Sequence, residues 1–281
     1  MPGPRLKAAL VAAPLLLGCD FSSSPSRQKT IVIATGRLVD AGVALSNLEY
    51  FTSLEAWAAR LAQPGERWVG GFDMPFGLPR ELVQALGWPT DWAACMDHYL
   101  SLSRADIRST FKAFCAARPV GQKFAHRATD GPAGSSPSMK WVNPPVAFML
   151  HAGVPLLRQA SVYLPGLMPT PAQPPERVAL EAYPGLLARA VLGRRSYKSD
   201  DKLRQTPDRL DARRALLASL EAGQFKGLRL QLAAEQRALL VSDARGDSMD
   251  AVLCQLQAAW ALQQHQQGAP LYGLPPDMDP L

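Results

Sequence analysis

The sequence predicts an α/β fold in which a mixed β-sheet is flanked by helices. Two short apolar runs end alike, the first with Gly18 and Asp20 and the second with Gly71 and Asp73. Such runs, bounded by turn residues, are typical of buried strands. The order of three strands, a helix and a strand is typical of a mixed sheet with a crossover helix. Hydrophobic residues make up 47% and charged residues 19% of the 281 residues, which indicates a globular protein with a sizeable core.

The first part of the chain is predicted to form four strands and one helix. The run from Thr30 to Thr35 is rich in β-branched residues, which favour strands. Thr52 or Ser53 can cap a helix, because either hydroxyl can accept a hydrogen bond from the first helical turn. The strands are expected at residues 9–21, 29–38, 43–51 and 67–73, and the helix between the last two places Leu54, Trp57, Ala58 and Leu61 on one apolar face.

Residues 80–176 are predicted to form a helical and loop insertion between the fourth and fifth strands. Pro79 can start a short helix, because proline is tolerated at the first helical position. The segments 118–140 and 164–175 are rich in Gly or Pro and are expected to be loops. The remaining elements are two helical segments within 90–117, a helix at 143–150, a strand at 177–181 followed by a helix to 192, and helices at 208–222 and from 247 onward.

Charge and cysteine content narrow the class of protein. The net charge of +6 permits an anionic partner such as nucleic acid, although a generally basic surface is an equal explanation. The four cysteines and four histidines are scattered, with no C-x-x-C pair and no zinc-ligand spacing. Free thiols are typical of a reducing compartment, which predicts a cytoplasmic protein. No apolar stretch of the sequence is long enough to span a bilayer, so no membrane partner is expected.

The N-terminal residues allow two interpretations that exclude each other. Basic residues followed by an apolar run that ends at Leu16, Leu17, Gly18 and Cys19 are typical of a lipoprotein signal with a lipidation box. Cleavage there would make Cys19 the new N-terminus and remove the first strand. We favour the strand, because its closing acid has so close a counterpart at the end of the second apolar run. The intact mass of the protein from its native host distinguishes the two.

Acidic residues at strand ends and at a helix start are the candidate catalytic residues. A carboxylate at the end of a buried strand lies half desolvated at the rim of the core, and residues three apart on a helix share a face. Mg²⁺ and Mn²⁺ prefer carboxylate oxygens, and two such ions about 4 Å apart can promote phosphodiester hydrolysis. The candidates are Asp20, Asp73, Glu181, Asp247 and Asp250, of which Glu181 is not a predicted metal ligand.

Each of these acids also has a structural alternative. Asp247 can be a helix N-cap, and Asp250 can be an acid favoured by the helix dipole. Glu181 can be a solvated strand end, and Asp20 can cap its own turn. Asp73 is the hardest to assign to a structural role, because it follows a run that should be buried and precedes a sharp bend.

Three further residues are candidates for contacts with a substrate. Lys140 and Lys198 can hold a phosphate as point charges. Ser22 follows the acid of the first strand by two positions and is the third candidate. For either lysine, a solvated surface charge is the structural alternative.

Four segments around the candidate acids form a joint pattern. They are Gly71-Phe72-Asp73-Met74-Pro75-Phe76-Gly77-Leu78-Pro79, Leu180-Glu181-Ala182-Tyr183-Pro184, Tyr197-Lys198 and Gly246-Asp247-Ser248-Met249-Asp250-Ala251. Together they resemble the signature blocks of the family called domain of unknown function 429, whose members are predicted nucleases with an RNase H-like fold. The resemblance implies one RNase H-like domain over residues 9–265, with the insertion at 80–176 and a C-terminal tail at 266–281. It also implies that Asp20, Asp73 and Asp250 bind the metal, with Asp247 close by.

The closing Asp-x-x-Asp-Ala motif is also similar to the last acidic motif of bacterial Holliday-junction resolvases, which act as dimers. The resemblance therefore implies Mg²⁺- or Mn²⁺-dependent hydrolysis of phosphodiester bonds in nucleic acid, with a homodimer as a further expectation. Three alternatives stay open: an ATP-dependent phosphotransferase of the actin-like or sugar-kinase type, a non-catalytic nucleic-acid-binding protein, and an envelope lipoprotein. Convergence of Asp20, Asp73 and Asp250 within metal-bridging reach would support the nuclease, and their separation across the sheet would exclude it.

Overall fold

One sheet of six strands forms the centre of the protein. A computed structural model describes residues 13–40, 42–276, 278–279 and 281. The strands are β1 (Leu15–Asp20), β2 (Ile31–Val39), β3 (Gly42–Phe51), β4 (Trp68–Asp73), β5 (Arg177–Glu181) and β6 (Arg229–Gln231). Their spatial order is β5-β4-β1-β2-β3-β6, in which β1, β4 and β5 are parallel, β2 is antiparallel to both its neighbours, and β6 is parallel to β3. The predicted mixed α/β sheet is confirmed.

Helices cover both faces of this sheet. Ser53 caps the first helix, since its hydroxyl accepts a hydrogen bond from the Ala56 N–H at 3.1 Å. Five helices lie between β4 and β5, within the segment for which an insertion was predicted. The helices are α1 (Leu54–Leu61), α2 (Arg80–Ala85), α3 (Trp92–Ser101), α4 (Arg104–Ala116), α5 (Asp130–Ala133), α6 (Val146–Gln159), α7 (Pro184–Leu192), α8 (Pro207–Glu221), α9 (Ala234–Ser242) and α10 (Asp247–Gln266).

The sheet separates two apolar cores, which gives the fold three layers. Alternate residues of a strand face opposite sides of a sheet. Leu17, Cys19 and Phe72 accordingly pack against α1 and the helices between β4 and β5. Leu16 and Val69 pack on the other side, against α7, α8 and α10. The two apolar runs are thus central strands buried on both faces, which explains why they lack an alternating polar pattern.

Helix α10 crosses β1 and β4 at the two glycines that precede the strand-end acids. A Cβ atom on Gly18 would lie 2.0 Å from the Ala251 carbonyl oxygen, and one on Gly71 would lie 2.5 Å from that of Cys254. Only a residue without a side chain lets two backbones approach so closely. Because side chains alternate along a strand, an acid two positions after such a glycine faces the same helix. The Gly-x-Asp ending therefore combines a close helix contact with a carboxylate beside that helix.

Several elements differ from their predicted extent. β1 begins at Leu15, and the predicted strand residues 9–12 lie outside the described part of the chain. α6 runs beyond the predicted end at 150 because Val154 and Leu157 continue its buried face. The predicted loop 118–140 includes the single turn of α5. β6 and α9 have no predicted counterpart: β6 has three residues and α9 buries only Leu240, so neither shows a clear apolar period.

The first strand occupies the position at which a lipidation box would be cut. Cys19 is buried and pairs with Ile33 on β2 and with Phe72 on β4. A chain processed before Cys19 would lack residues 15–18 of this central strand. Across the described ranges, no helix combines the length and the apolar character needed to cross a bilayer.

Candidate metal centre

Asp20 and Asp73 lie side by side at the ends of two neighbouring strands. They are the last residues of β1 and β4, and the parallel register pairs them directly. Both are partly buried, at the edge where the chain leaves the sheet. The repeated ending of the sequence therefore places two carboxylates next to each other on rigid backbone.

Asp250 approaches the same edge of the sheet from the first turn of α10. Gly246 is the N-cap residue of this helix, with φ of 80°, and the Asp243 carboxylate accepts the Ser248 N–H at 2.9 Å. Asp247 is the first helical residue, so its interpretation as the N-cap is wrong. This cap fixes the start of α10 and hence the position of Asp250, whose side chain is fully buried.

The three acids converge at one place. Asp20, Asp73 and Asp250 each offer a carboxylate oxygen, and these oxygens all lie within 4.8 Å of one another. We call these three residues the acidic cluster. These three carboxylates must converge if they form a metal site. The structure meets this condition, since none of the three is separated from the others across the sheet.

One short segment supplies both polar partners of Asp250. The Tyr197 hydroxyl donates to Oδ1 of Asp250, and the Lys198 ammonium donates to Oδ2. Two arginines of α8 hold this segment: Arg213 donates to the Tyr197 carbonyl at 2.7 Å, and Arg209 donates to the Lys198 carbonyl. Lys198 is thus placed against the acidic cluster by backbone contacts as well as by its own ion pair.

Burial raises the pKa of every carboxyl group in the acidic cluster. For Asp20 the largest cause is desolvation, followed by the charge of Asp250. The same two causes raise the pKa of Asp73 to about 7. Desolvation also raises the pKa of Asp250, although Lys198 opposes the shift. Burial opposes the charged form of Lys198 as well, but the carboxylates around it outweigh that effect and raise its pKa. The cluster therefore favours bound protons or cations near neutral pH.

Replacing Lys198 by methionine is expected to lower the metal-free stability and to enlarge the stabilisation by Mn²⁺. Removing one partner of a buried ion pair costs about 3–5 kcal/mol. About 2 kcal/mol is expected here, because the Lys198 side chain is 40% exposed whereas Asp250 is fully buried. A divalent cation would also no longer compete with the ammonium for Asp250.

Thermal denaturation with and without Mn²⁺ measures both effects of Lys198→Met. Lys140→Met is the matched control, since Lys140 was predicted for the same role but, within the part of the chain that the structure describes, forms no hydrogen bond or ion pair with the acidic cluster. An unchanged metal-free Tm together with an unchanged Mn²⁺ shift would contradict the competition between ammonium and metal.

Asp247 lies near the acidic cluster but outside the group of three converging oxygens. It is half-buried, and desolvation together with the charges of Asp243 and Asp250 raises its pKa to about 6. Asp247 therefore adds negative potential to the site, while its assignment as a metal ligand stays a prediction.

Glu181 has protein partners of its own. Its Oε1 accepts a hydrogen bond from Arg127 at 2.5 Å, and its Oε2 accepts the Phe76 N–H at 3.1 Å. Arg127 also pairs with Asp130, which is 1% exposed. The charge of Glu181 contributes to the raised pKa of Asp73, so it lies close to the acidic cluster. These contacts join the end of β5 to the loop after β4 and to the segment around α5. Glu181 thus holds these three parts of the chain together beside the acidic cluster.

Of the three predicted substrate contacts, Lys198 alone bonds to the acidic cluster among the described residues. Lys140 is partly exposed, and its backbone bonds to Pro137 and Ala147. The Ser22 hydroxyl accepts the Ser24 N–H at 3.4 Å, as in a local turn. The roles of Lys140 and Ser22 in substrate binding stay predictions.

Three residues that position the site were not predicted. Tyr197 adjoins Lys198 in the sequence, and Asp243 lies shortly before the start of α10, so both had a local signal. Arg213 reaches Tyr197 from α8 across 16 positions of sequence. A buried arginine that caps a distant carbonyl has no local pattern from which it could be inferred.

The donor set suits a hard divalent cation. Three carboxylates offer only oxygen ligands, as Mg²⁺ and Mn²⁺ require, and few enough of them to leave positions for water and for phosphate oxygens. The mutual repulsion that raises the pKa values of these groups is relieved when a cation binds between them. The observed geometry therefore fits a hard divalent cation, and the choice of Mg²⁺ or Mn²⁺ stays a prediction.

Comparisons with known proteins give no match from which the site could be interpreted. No family model, no curated protein and no solved structure matches the chain. The resemblance to domain of unknown function 429 therefore stays a prediction that depends on the quoted segments.

Proposed function

We propose that this chain is a metal-dependent nuclease with an RNase H-like fold, in which Asp20, Asp73 and Asp250 hold Mg²⁺ or Mn²⁺. The observation that carries the proposal is the convergence of these three carboxylates within 4.8 Å. The mixed sheet and the resemblance to domain of unknown function 429 support the same assignment. Because a fold alone does not determine a function, the chemistry of the site is the main argument.

In this proposal the residues of the chain bind the cation and orient its carboxylate ligands. Asp20 and Asp73 present their carboxylates from paired strands, so little freedom is lost when they bind a cation. Tyr197 fixes the orientation of Asp250 by donating to one of its oxygens. When bound, the cation supplies a water of lowered pKa and stabilises charge on the phosphate. Lys198 compensates part of the negative charge before a cation arrives.

The proposed substrate is a nucleic acid, which agrees with the net charge of +6. No feature of the described residues specifically favours the phosphotransferase or the non-catalytic alternative. The cytoplasmic location and the homodimer stay predictions.

The deciding experiment combines ligand-induced thermal shifts with cleavage assays. Mn²⁺ and Mg²⁺ are expected to raise the Tm, ATP is expected to leave it unchanged, and short labelled DNA or RNA is expected to be cut only when a metal is present. A Tm shift by ATP without nucleic-acid cleavage would favour the phosphotransferase. No shift with either metal would remove the proposed site.

Metal binding is expected to strengthen as the pH rises from about 6 to about 8. Asp73 has a pKa of about 7, so below that pH a cation must displace a proton, which weakens binding by up to about tenfold per pH unit. The metal-free protein should show the opposite trend. A carboxyl group whose pKa is raised by folding binds more protons folded than unfolded, so this contribution to stability is lost as the pH rises through about 7.

Calorimetric titration with Mn²⁺ at several pH values checks the first trend, and the metal-free Tm over the same range checks the second. A metal affinity that does not change with pH would contradict the assignment of Asp73 as a ligand.

A further inference from the structure

A small pocket opens from the acidic cluster beside Asp73. It has a volume of about 200 Å³ and lies between the start of α7 and the segment that carries Lys198. Pockets that enclose a whole small ligand measure about 300–1,000 Å³. This pocket is therefore of a size to take one group of a ligand whose remainder lies outside it.

The pocket is lined mainly by positively charged side chains, whereas the acidic cluster is negatively charged. Arg189, Arg195 and Lys198 line the pocket, against the single carboxylate of Asp73. Lys198 is committed to Asp250, and Arg189 is held by the Ala133 carbonyl and lies with its guanidinium 5.3 Å from the centre of the Tyr183 ring. Arg195 is exposed, and no hydrogen bond or ion pair joins its guanidinium to another described residue. Arg195 is thus the cation on this wall that is available to a ligand.

The backbone of the pocket wall favours the same kind of ligand. Pro184 and Gly185, in the first turn of α7, form part of the lining. Proline has no N–H, the Tyr183 N–H donates to Oε1 of Gln257, and the Leu186 N–H donates to the Tyr183 carbonyl. Gly185 is therefore the residue of this turn whose N–H joins no other described residue, at the positive end of the helix dipole. The pocket therefore combines arginine side chains with a backbone that also favours an anion.

We propose that this pocket binds a backbone phosphate of a nucleic-acid strand, next to the phosphate that lies at the acidic cluster, with Arg195 as the principal contact. A guanidinium matches a phosphate group with two parallel hydrogen bonds. Because Asp73 belongs to both the cluster and the pocket wall, a ligand that fills both must carry one phosphate close to another, as a nucleic-acid strand does. This inference rests on the proposed nuclease function and adds to it a subsite that positions the strand.

The test compares Arg195→Gln with Arg194→Gln. Arg194 is the adjacent exposed arginine and does not line the pocket, so the two variants differ in position and not in charge. Fluorescence anisotropy with short labelled single-stranded DNA or RNA, in the presence of a chelator to prevent cleavage, measures binding over a range of KCl concentrations. Arg195→Lys tests whether the paired geometry of the guanidinium matters.

Arg195→Gln is expected to weaken binding roughly tenfold and to reduce the slope of log affinity against log salt by about 1, whereas Arg194→Gln changes neither. Arg195→Lys should restore the salt slope and only part of the affinity. Equal affinities and slopes for the two glutamine variants would overturn the subsite. Inorganic phosphate that competes as strongly as the labelled strand would overturn the nucleic acid as its ligand.

The outcomes separate this inference from the proposed function. Metal-dependent cleavage by the wild type, together with equal binding by Arg195→Gln and Arg194→Gln, would refute the subsite and leave the nuclease proposal standing. Weaker strand binding by Arg195→Gln, without cleavage by the wild type under any metal, would uphold the subsite and refute the hydrolysis. The thermal denaturation of each variant confirms that the fold is retained.

Discussion

Asp73→Asn is expected to reduce metal-dependent cleavage of nucleic acid at least about a hundredfold while the protein stays folded. Metal ions contribute several kcal/mol to phosphodiester hydrolysis, and each 1.4 kcal/mol corresponds to a factor of ten in rate. Asp73 shares the site with Asp20 and Asp250, and an amide in its place removes a negative ligand without changing the volume. The substitution also removes a group whose pKa is raised to about 7 by burial and repulsion. The metal-free Tm at pH 8 should therefore be equal to or higher than that of the wild type.

The combination of lost cleavage and retained or increased stability is what distinguishes a functional acid from a structural one. Residues that serve a site are often destabilising, so their replacement can stabilise the fold. Asp97→Asn is a suitable control: Asp97 forms an exposed ion pair with Arg158 at 2.7 Å, and such pairs contribute little. Single-turnover cleavage and thermal denaturation of the two variants, purified in parallel, give the answer. Cleavage by Asp73→Asn at the wild-type rate would refute the assignment of the site.

The strand-end acids were predictable because their pattern is local. A glycine and an acid two positions apart at the end of an apolar run identify the strand, its end and the face that the carboxylate shares. The register that pairs Asp20 with Asp73 could not be read from either run alone, but two similar endings favour it. Asp250 was found through a third local pattern, an acid in the first turn of an apolar helix.

The rest of the site depends on contacts between distant parts of the chain. Glu181 was predicted from its place at a strand end, yet its partners Arg127 and Phe76 come from the segments after β4. Lys198 was predicted to contact a phosphate, whereas the structure pairs it with Asp250. Such pairings arise from tertiary packing, and no periodicity or turn signal encodes them. The pocket beside Asp73 likewise depends on the approach of α7 to the segment 195–198.

The two glycines of the repeated ending also govern how precisely the site is assembled. Asp250 belongs to α10, and the distance between this helix and the sheet is set where its backbone meets Gly18 and Gly71. A helix displaced from the sheet would carry Asp250 away from the two strand-end acids. Site geometry and packing are therefore coupled through positions that contain no functional group.

Gly18→Ala is accordingly expected to destabilise the protein by about 3 kcal/mol, which is the upper end of the usual cost of overpacking. The added Cβ would lie 2.0 Å from the Ala251 carbonyl oxygen of α10, which has little room to move. Gly71→Ala, with a contact of 2.5 Å, should cost less, and Gly131→Ala, which meets no atom within 4 Å, should cost little. Urea denaturation measures this order, and titration with Mn²⁺ tests its consequence for the site. If α10 positions Asp250 as described, the metal affinity must fall in the same order as the stability. Wild-type stability and metal affinity in Gly18→Ala would contradict the close approach of α10 to β1, and with it the explanation of why glycine precedes each acid.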